Sequence, residues 1–330
     1  MDTTTTYLGL RLAHPYMAGA SPLGARLDSV KRLEDSGAAA VVLHSLFEEQ
    51  ITMAQSGRIR HMDPLDNQFS AALAHFPTSD AYPFSPDEHL DHLRRVKAAV
   101  RIPIIASLNG TTSEAWLKYA ELFEQAGADA LEVNLYQVVT DLSVPGVAIE
   151  SDIRNVVLEL KRTLRVPVAI KLSPFFTAFG NIARQIDEAG ADGLVIFNRF
   201  YQPDIDIRTM TAGPYLELSR REELRLRLRW LAILHGRIRP SLGVTGGIAE
   251  PADGIKAILA GAHAVQMVSA LLRHGPGFLK TMRDGLTSWM EWHHIESVDQ
   301  MRGRVSSSAT ADPGAFERAN YIRALHSWGT

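Results

Sequence analysis

The chain has 330 residues, 46% of them hydrophobic and 22% charged, a composition that supports a large buried core. A net charge of −3 and the lack of any Lys/Arg block exclude nucleic acid as a partner. With no cysteine there is no disulfide, no iron–sulfur ligation within this chain and no thiolate catalyst, and no metal site is read from the sequence. The N-terminus lacks a basic region followed by an apolar core, and no apolar run approaches the ~20 residues that span a bilayer. A cytoplasmic location without membrane contact is expected.

No Pro/Gly/Ser-rich linker interrupts residues 1–285, so they are expected to form one domain, with 286–330 as a helical or irregular tail packed on it. Along the chain an N-terminal strand pair is expected first, then Pro15-Tyr-Met-Ala-Gly-Ala as the opening strand of the main sheet. Four segments then share a cadence in which a helical pattern closes on a Gly, Ala follows and an aliphatic run begins. They start at Asp35, Gln125, Glu188 and Leu259, and Gly37, Gly127, Gly190 and Gly261 supply the left-handed residue that ends each helix. Pro103-Ile-Ile-Ala-Ser-Leu, Pro167-Val-Ala-Ile-Lys-Leu-Ser and Ser241-Leu-Gly-Val-Thr-Gly-Gly complete the rhythm. The expected strands lie near 16–20, 39–45, 103–108, 130–136, 167–173, 193–198, 241–245 and 263–268. Strict strand–helix alternation demands parallel strands, and eight of them favour a closed (β/α)8 TIM barrel. An open doubly wound sheet is the alternative, disfavoured because no Gly-x-Gly-x-x-Gly follows the first strand.

The connection from about 46 to 88 is too long for a plain loop and is read as a lid or substrate loop after strand two. Arg220-Arg-Glu-Glu-Leu-Arg-Leu-Arg-Leu-Arg is read as a solvated helix whose stems cover apolar surface. Residues 300–315 form a polar stretch expected to wrap the surface.

Barrel chemistry sits where strands end. The polar strand ends here are Ser21, His44-Ser45, Ser107-Leu108-Asn109, Asn134, Lys171, Asn198-Arg199, Thr245-Gly246-Gly247 and Ser269. Helix capping is the commoner duty of a single Ser, Thr or Asn there, but capping does not account for the whole set. Lys171 lies inside an apolar strand, where an ammonium needs an anionic or electron-rich partner. Glu132 is one candidate and a bound ligand is the other. Gly246-Gly247 and Val268-Ser269 offer backbone N–H groups after strands seven and eight, the usual phosphate site of this fold. A phosphate-bearing cofactor is implied.

Pro15-Tyr-Met-Ala-Gly-Ala-Ser, Leu131-Glu-Val-Asn-Leu, Ile170-Lys-Leu-Ser-Pro-Phe-Phe, Val195-Ile-Phe-Asn-Arg, Leu242-Gly-Val-Thr-Gly-Gly-Ile and Gly261-Ala-His-Ala-Val-Gln-Met-Val-Ser-Ala-Leu follow in order over roughly residues 5–285. As a set they resemble the strand motifs of the dihydroorotate dehydrogenase family, and the chain is similar to its soluble branch. The resemblance implies FMN held by Gly19, Ala20, Ser21, His44, Ser45, Asn109, Asn134, Lys171, Gly246, Gly247, Val268 and Ser269. It also implies a substrate gripped by Asn67, Asn134, Asn198 and Arg199, with dihydroorotate oxidised to orotate in pyrimidine biosynthesis.

The departures lie on the substrate side. The family's catalytic Cys or Ser, which takes the proton as hydride leaves, is replaced by Gln137, and the Pro-Asn that follows it is missing. His44 stands for a Lys and Arg199 for a Ser or Thr. An amide accepts no proton near neutral pH, so His44, Tyr136, Asp141 and Ser143 are weighed as substitute bases. Three functions stay open: dihydroorotate oxidation, an FMN oxidoreductase with another substrate for which Arg199 and His44 supply an anion site, and a non-catalytic flavin-bearing barrel. The electron acceptor is not marked in the sequence. A homodimer is the base expectation, with an electron-transfer partner subunit as an addition.

Overall fold

Apolar runs bordered by Gly and Pro fold into short strands buried on both faces, and this requires a layer on each side of the sheet. The computed structural model describes all residues except 53, 55–84, 111–112, 136, 200–201, 215–216, 318–319 and 328–330. The N-terminal pair is an antiparallel hairpin of β1 (Thr5–Tyr7) and β2 (Leu10–Leu12). The main strands follow as β3 (Tyr16–Ala18), β4 (Val41–Val42), β5 (Leu46–Phe47), β6 (Ile104–Gly110), β7 (Ala130–Leu135), β8 (Val168–Leu172) and β9 (Gly193–Ile196). After an antiparallel hairpin, β10 (Pro203–Asp206) and β11 (Thr211–Pro214), come β12 (Ser241–Thr245) and β13 (Ala264–Met267). The parallel sheet runs β4-β3-β13-β12-β9-β8-β7-β6-β5 and closes through β4–β6. This is the expected (β/α)8 barrel.

The second barrel position is shared by β4 and β5, where one strand over 39–45 was expected. The Leu43 N–H still donates to the Ile105 carbonyl at 2.9 Å, but Ser45 turns inward to place its hydroxyl 2.7 Å from Ser107 Oγ. That turn breaks the ladder and leans His44 against the surrounding helices.

Those helices are α1 (Leu27–Asp35), α2 (Pro86–Ala99), α3 (Ser113–Gln125), α4 (Gly146–Thr163), α5 (Phe179–Glu188), α6 (Leu224–Leu234), α7 (Pro251–Ala260), α8 (Ser269–His274) and α9 (Phe278–Trp292). Helix α2 starts at a capping box, Ser85 accepting from the Glu88 N–H and Glu88 from the Ser85 N–H, with Pro86 in its first turn. Helix α9 runs across residue 285 and buries Leu279, Met282, Leu286 and Met290. The polar stretch after residue 300 wraps α6 and α7 through Gly303 N–H to Ile258, Val305 N–H to Leu259 and Ser307 N–H to Ala232. In the Arg-rich run, Arg225 and Arg229 are solvated as expected, but Arg227 is buried and faces the barrel. Among the described residues no helix is long and apolar enough to cross a membrane.

The hairpin plugs the N-terminal mouth of the barrel. Tyr7, Leu8 and Leu12 fill it against Met17, Val42, Ile105, Ala130, Ala169, Val195 and Ala264. Two strand glycines make the room: a Cβ on Gly193 would lie 2.3 Å from Leu8 Cδ2, and one on Gly243 would lie 2.8 Å from the Tyr7 hydroxyl.

The cadence glycines sit at φ between 84° and 126°, and after Gly127, Gly190 and Gly261 the side chain two places beyond ties neighbouring strands together. Asp129 accepts from the Ile104 N–H at 2.7 Å and pairs with Lys97 at 2.6 Å. Asp192 accepts from the Val168 N–H at 2.8 Å and pairs with Lys161 at 2.5 Å. His263 Nδ1 accepts from the Leu242 N–H at 3.0 Å. The repeat therefore satisfies strand-edge donors at the N-terminal end of the barrel. Asp192→Ala strands one of them and should cost about 1–3 kcal/mol of stability, read as a lower urea midpoint. An unchanged midpoint would mean that water replaces the carboxylate without loss.

Candidate active site

Side chains alternate along a strand, so every second residue enters the barrel. The plugged end is apolar, and above it the inward positions become polar. Registers align Ser107 with Glu132 and Asn109 with Asn134 across β6 and β7, and Asn134 with Lys171 across β7 and β8. The centre of this layer is an ion pair: Lys171 Nζ lies 3.0 Å from Glu132 Oε1, with both side chains buried. Gln266 Nε2 donates to the other carboxylate oxygen. From below, the fully buried Tyr7 phenol has its pKa raised well above the usual range, by burial and by the Glu132 charge. The structure thus gives Lys171 the Glu132 partner that the sequence left as one of two options.

Lys171 still reaches a cavity of about 110 Å³ at the C-terminal ends of the strands. Of the residues expected at the site, Ala20, Asn198, Arg199, Gly246, Val268 and Ser269 line the same cavity. Asn134 stands beside Lys171 in the register, and its buried Oδ1 has no hydrogen-bond partner among the described residues. Gly19 packs on β13, where a Cβ would lie 2.8 Å from Val268 Cγ2. Gly246 and Gly247 both have positive φ and are backed by α6, Gly246 against the Arg227 guanidinium and Gly247 against the Leu224 backbone. Ser269 Oγ accepts from the N–H and the hydroxyl of Ser219, at 3.0 and 2.9 Å. Ser21 is buried at the start of a short 3-10 turn, and Asn109 is half-buried at the end of β6.

Other expected residues lie elsewhere. His44 stacks on His89 of α2, ring centroids 6.0 Å apart and 11° between planes, and burial followed by the His92 charge lowers its pKa. It is not among the residues lining the cavity with Lys171. Gln137 is exposed and lines a second cavity of about 430 Å³ with Val138, Val139, Ser173, Phe175 and Phe176. Asp141 is held in a local turn by the N–H and hydroxyl of Ser143, bonds that lower its pKa. Asn67 and Tyr136 lie outside the described residues, as does most of the long connection after strand two.

Gln266, Ser219 and Arg227 also belong to the site and are not among the residues expected from the sequence. Gln266 carried the same signal as Lys171, a polar residue in the middle of an apolar strand. Ser219 sits in a loop and Arg227 in an Arg/Leu run, and neither has a local signature that separates it from a solvated residue.

A (β/α)8 barrel with a cation-bearing polar pocket at its strand C-termini has its pocket where enzymes of this fold carry their active sites. The family model described as dihydroorotate dehydrogenase matches residues 86–290, and the chain belongs to that family. It is 28% identical to the dihydroorotate dehydrogenase B (NAD(+)) catalytic subunit of Thermoplasma volcanium, covering 92% of this chain and 98% of the relative. Against the same-named subunit of Methanothermobacter thermautotrophicus it is 27% identical over 91% and 97%. Identity to the NAD-dependent dihydropyrimidine dehydrogenase subunit PreA of Escherichia coli is 24% over 93% of this chain and 77% of the relative.

Removing one member of a buried ion pair typically costs about 3–5 kcal/mol, because the other is left charged and unpaired. Glu132→Ala and Lys171→Met should each lower stability on that scale, and the double variant should lose clearly less than their sum. Additive losses in urea unfolding would show that the two charges are not each other's main partners.

Proposed function

We propose that the chain is an FMN-dependent oxidoreductase that takes hydride from a CH–CH bond, with dihydroorotate as substrate and orotate as product. The observation that carries the reading is Lys171, a buried ammonium held by Glu132 yet facing a cavity that also collects Gly246, Ser269 and Asn198. The donor set suits a flavin: backbone N–H groups and hydroxyls for a phosphate, a cation for an electron-rich ring edge, and the unpartnered Asn134 Oδ1 for a ring N–H. Bound there, FMN would accept the hydride. Lys171 would hold positive charge at the cavity floor, and Asn134 and Asn198 would orient the substrate. The proposal extends to a cytoplasmic role in pyrimidine biosynthesis, a homodimer, and electron delivery to fumarate, to NAD through a partner subunit or to another protein.

Gln137, which the resemblance puts at the family's base position, lines the neighbouring cavity rather than the one with Lys171. Its amide takes no proton near neutral pH, and the loss of a positioned base forfeits ~10²–10⁴ in rate. A second reading, an FMN enzyme with a different substrate, is favoured by the apolar surroundings of Gln137, where Phe175, Phe176, Val138 and Val139 line the neighbouring cavity. A barrel that binds flavin without turnover is the third.

Mixing the oxidised flavoprotein anaerobically with dihydroorotate should bleach the flavin slowly, and Gln137→Cys or Gln137→Ser should speed the bleaching. Fast bleaching by the unaltered chain with no response to Gln137→Ser would place the base elsewhere, with His44 the next residue to change. No bleaching by dihydroorotate, but bleaching by another donor, would favour the second reading.

A further inference from the structure

The loop at Gly246 carries more positive charge than backbone N–H groups alone provide. Arg199, just beyond β9, lines the cavity together with Gly246, Ser219 and Ser269. Its Nη1 is buried and has no hydrogen-bond partner among the described residues. Behind the loop lies Arg227, 5% exposed, which donates from Nε to the Thr245 carbonyl and from Nη1 to the Glu223 carbonyl at 2.7 Å. One carboxylate serves both guanidiniums, and loosely: Glu223 is 4.0 Å from Arg199 and 3.8 Å from Arg227. Glu223 Oε1 also accepts from the Arg220 N–H at 2.9 Å.

Among the described residues no Asp or Glu lines the cavity itself, and the other cation lining it, Lys171, already has Glu132 as its counter-ion. The uncompensated charge therefore lies on the Arg199 side. A partly buried guanidinium with an idle donor is costly unless an anion meets it, and its planar fork suits a phosphate. On the FMN reading above, we propose that Arg199, backed by Arg227, is a side-chain clamp for the cofactor phosphate rather than a substrate contact. Glu223 is then the counter-ion that holds the clamp until the phosphate displaces it.

The test compares FMN with riboflavin, which differ only in the phosphate, by titrating flavin-free protein and following flavin fluorescence. Arg199 is one-third exposed, so Arg199→Gln should fold. It should weaken FMN binding by at least about tenfold, the scale of one charge-assisted pair, and leave riboflavin within about twofold. Glu223→Gln keeps an acceptor for the Arg220 N–H and removes the competing charge, so it should tighten FMN relative to riboflavin. These opposite signs, confined to the phosphorylated ligand, are not produced by a merely structural role.

Equal losses for both flavins, or no loss, in Arg199→Gln overturn the clamp. Unchanged FMN binding with weakened orotate binding assigns Arg199 to the substrate instead. An unaltered chain that binds both flavins equally overturns the clamp and leaves the cofactor reading standing, whereas one that binds neither overturns both.

Discussion

The buried ion pair between Lys171 and Glu132 is the constraint on which the rest of the site depends. Neither charge is tolerable alone in the middle of a barrel, and each is placed by its own strand, so β7 and β8 must hold the register that brings them to 3.0 Å. Gln266 from β13 takes the second carboxylate oxygen, linking a strand from across the barrel to the same centre. The layer is fixed from three directions, and this preorganises Lys171 toward the cavity above it.

The plugged end supplies the other half of that rigidity. The hairpin fills the mouth with Tyr7, Leu8 and Leu12, made possible by glycines at 193 and 243, so apolar side chains underlie the polar layer from below. Stability and chemistry are thus segregated along the barrel axis, with apolar packing and the Asp129, Asp192 and His263 ties at one end and the cavity at the other.

The strands were legible because doubly buried strands are short continuous aliphatic runs, and their starts were marked by the Gly-Ala cadence or by Pro. The second strand was misread as continuous because Ser45 turns inward to Ser107, a contact across 62 residues that no local pattern encodes. The β10–β11 hairpin went unread although Pro203-Asp-Ile-Asp-Ile alternates as an edge strand does. Seven of the expected residues, Lys171 among them, converge on one cavity, since strand ends can be counted from the sequence. His44 and Gln137 line no part of that cavity: His44 lies beyond the end of β4 at Val42, and Gln137 beyond the end of β7 at Leu135. Arg227 was hidden because a helix of alternating Arg and Leu does not announce which arginine faces inward.

On the proposed function, FMN binds in this layered barrel above Lys171. Equilibrium titration of the flavin-free chain with FMN, followed by quenching of flavin fluorescence, addresses it most directly. Binding should saturate at about one FMN per chain and be much weaker when Lys171 is replaced by Met and Glu132 by Gln together, which removes both charges without stranding either. Failure of the unaltered chain to take up FMN, or unchanged affinity in the double variant, would contradict it.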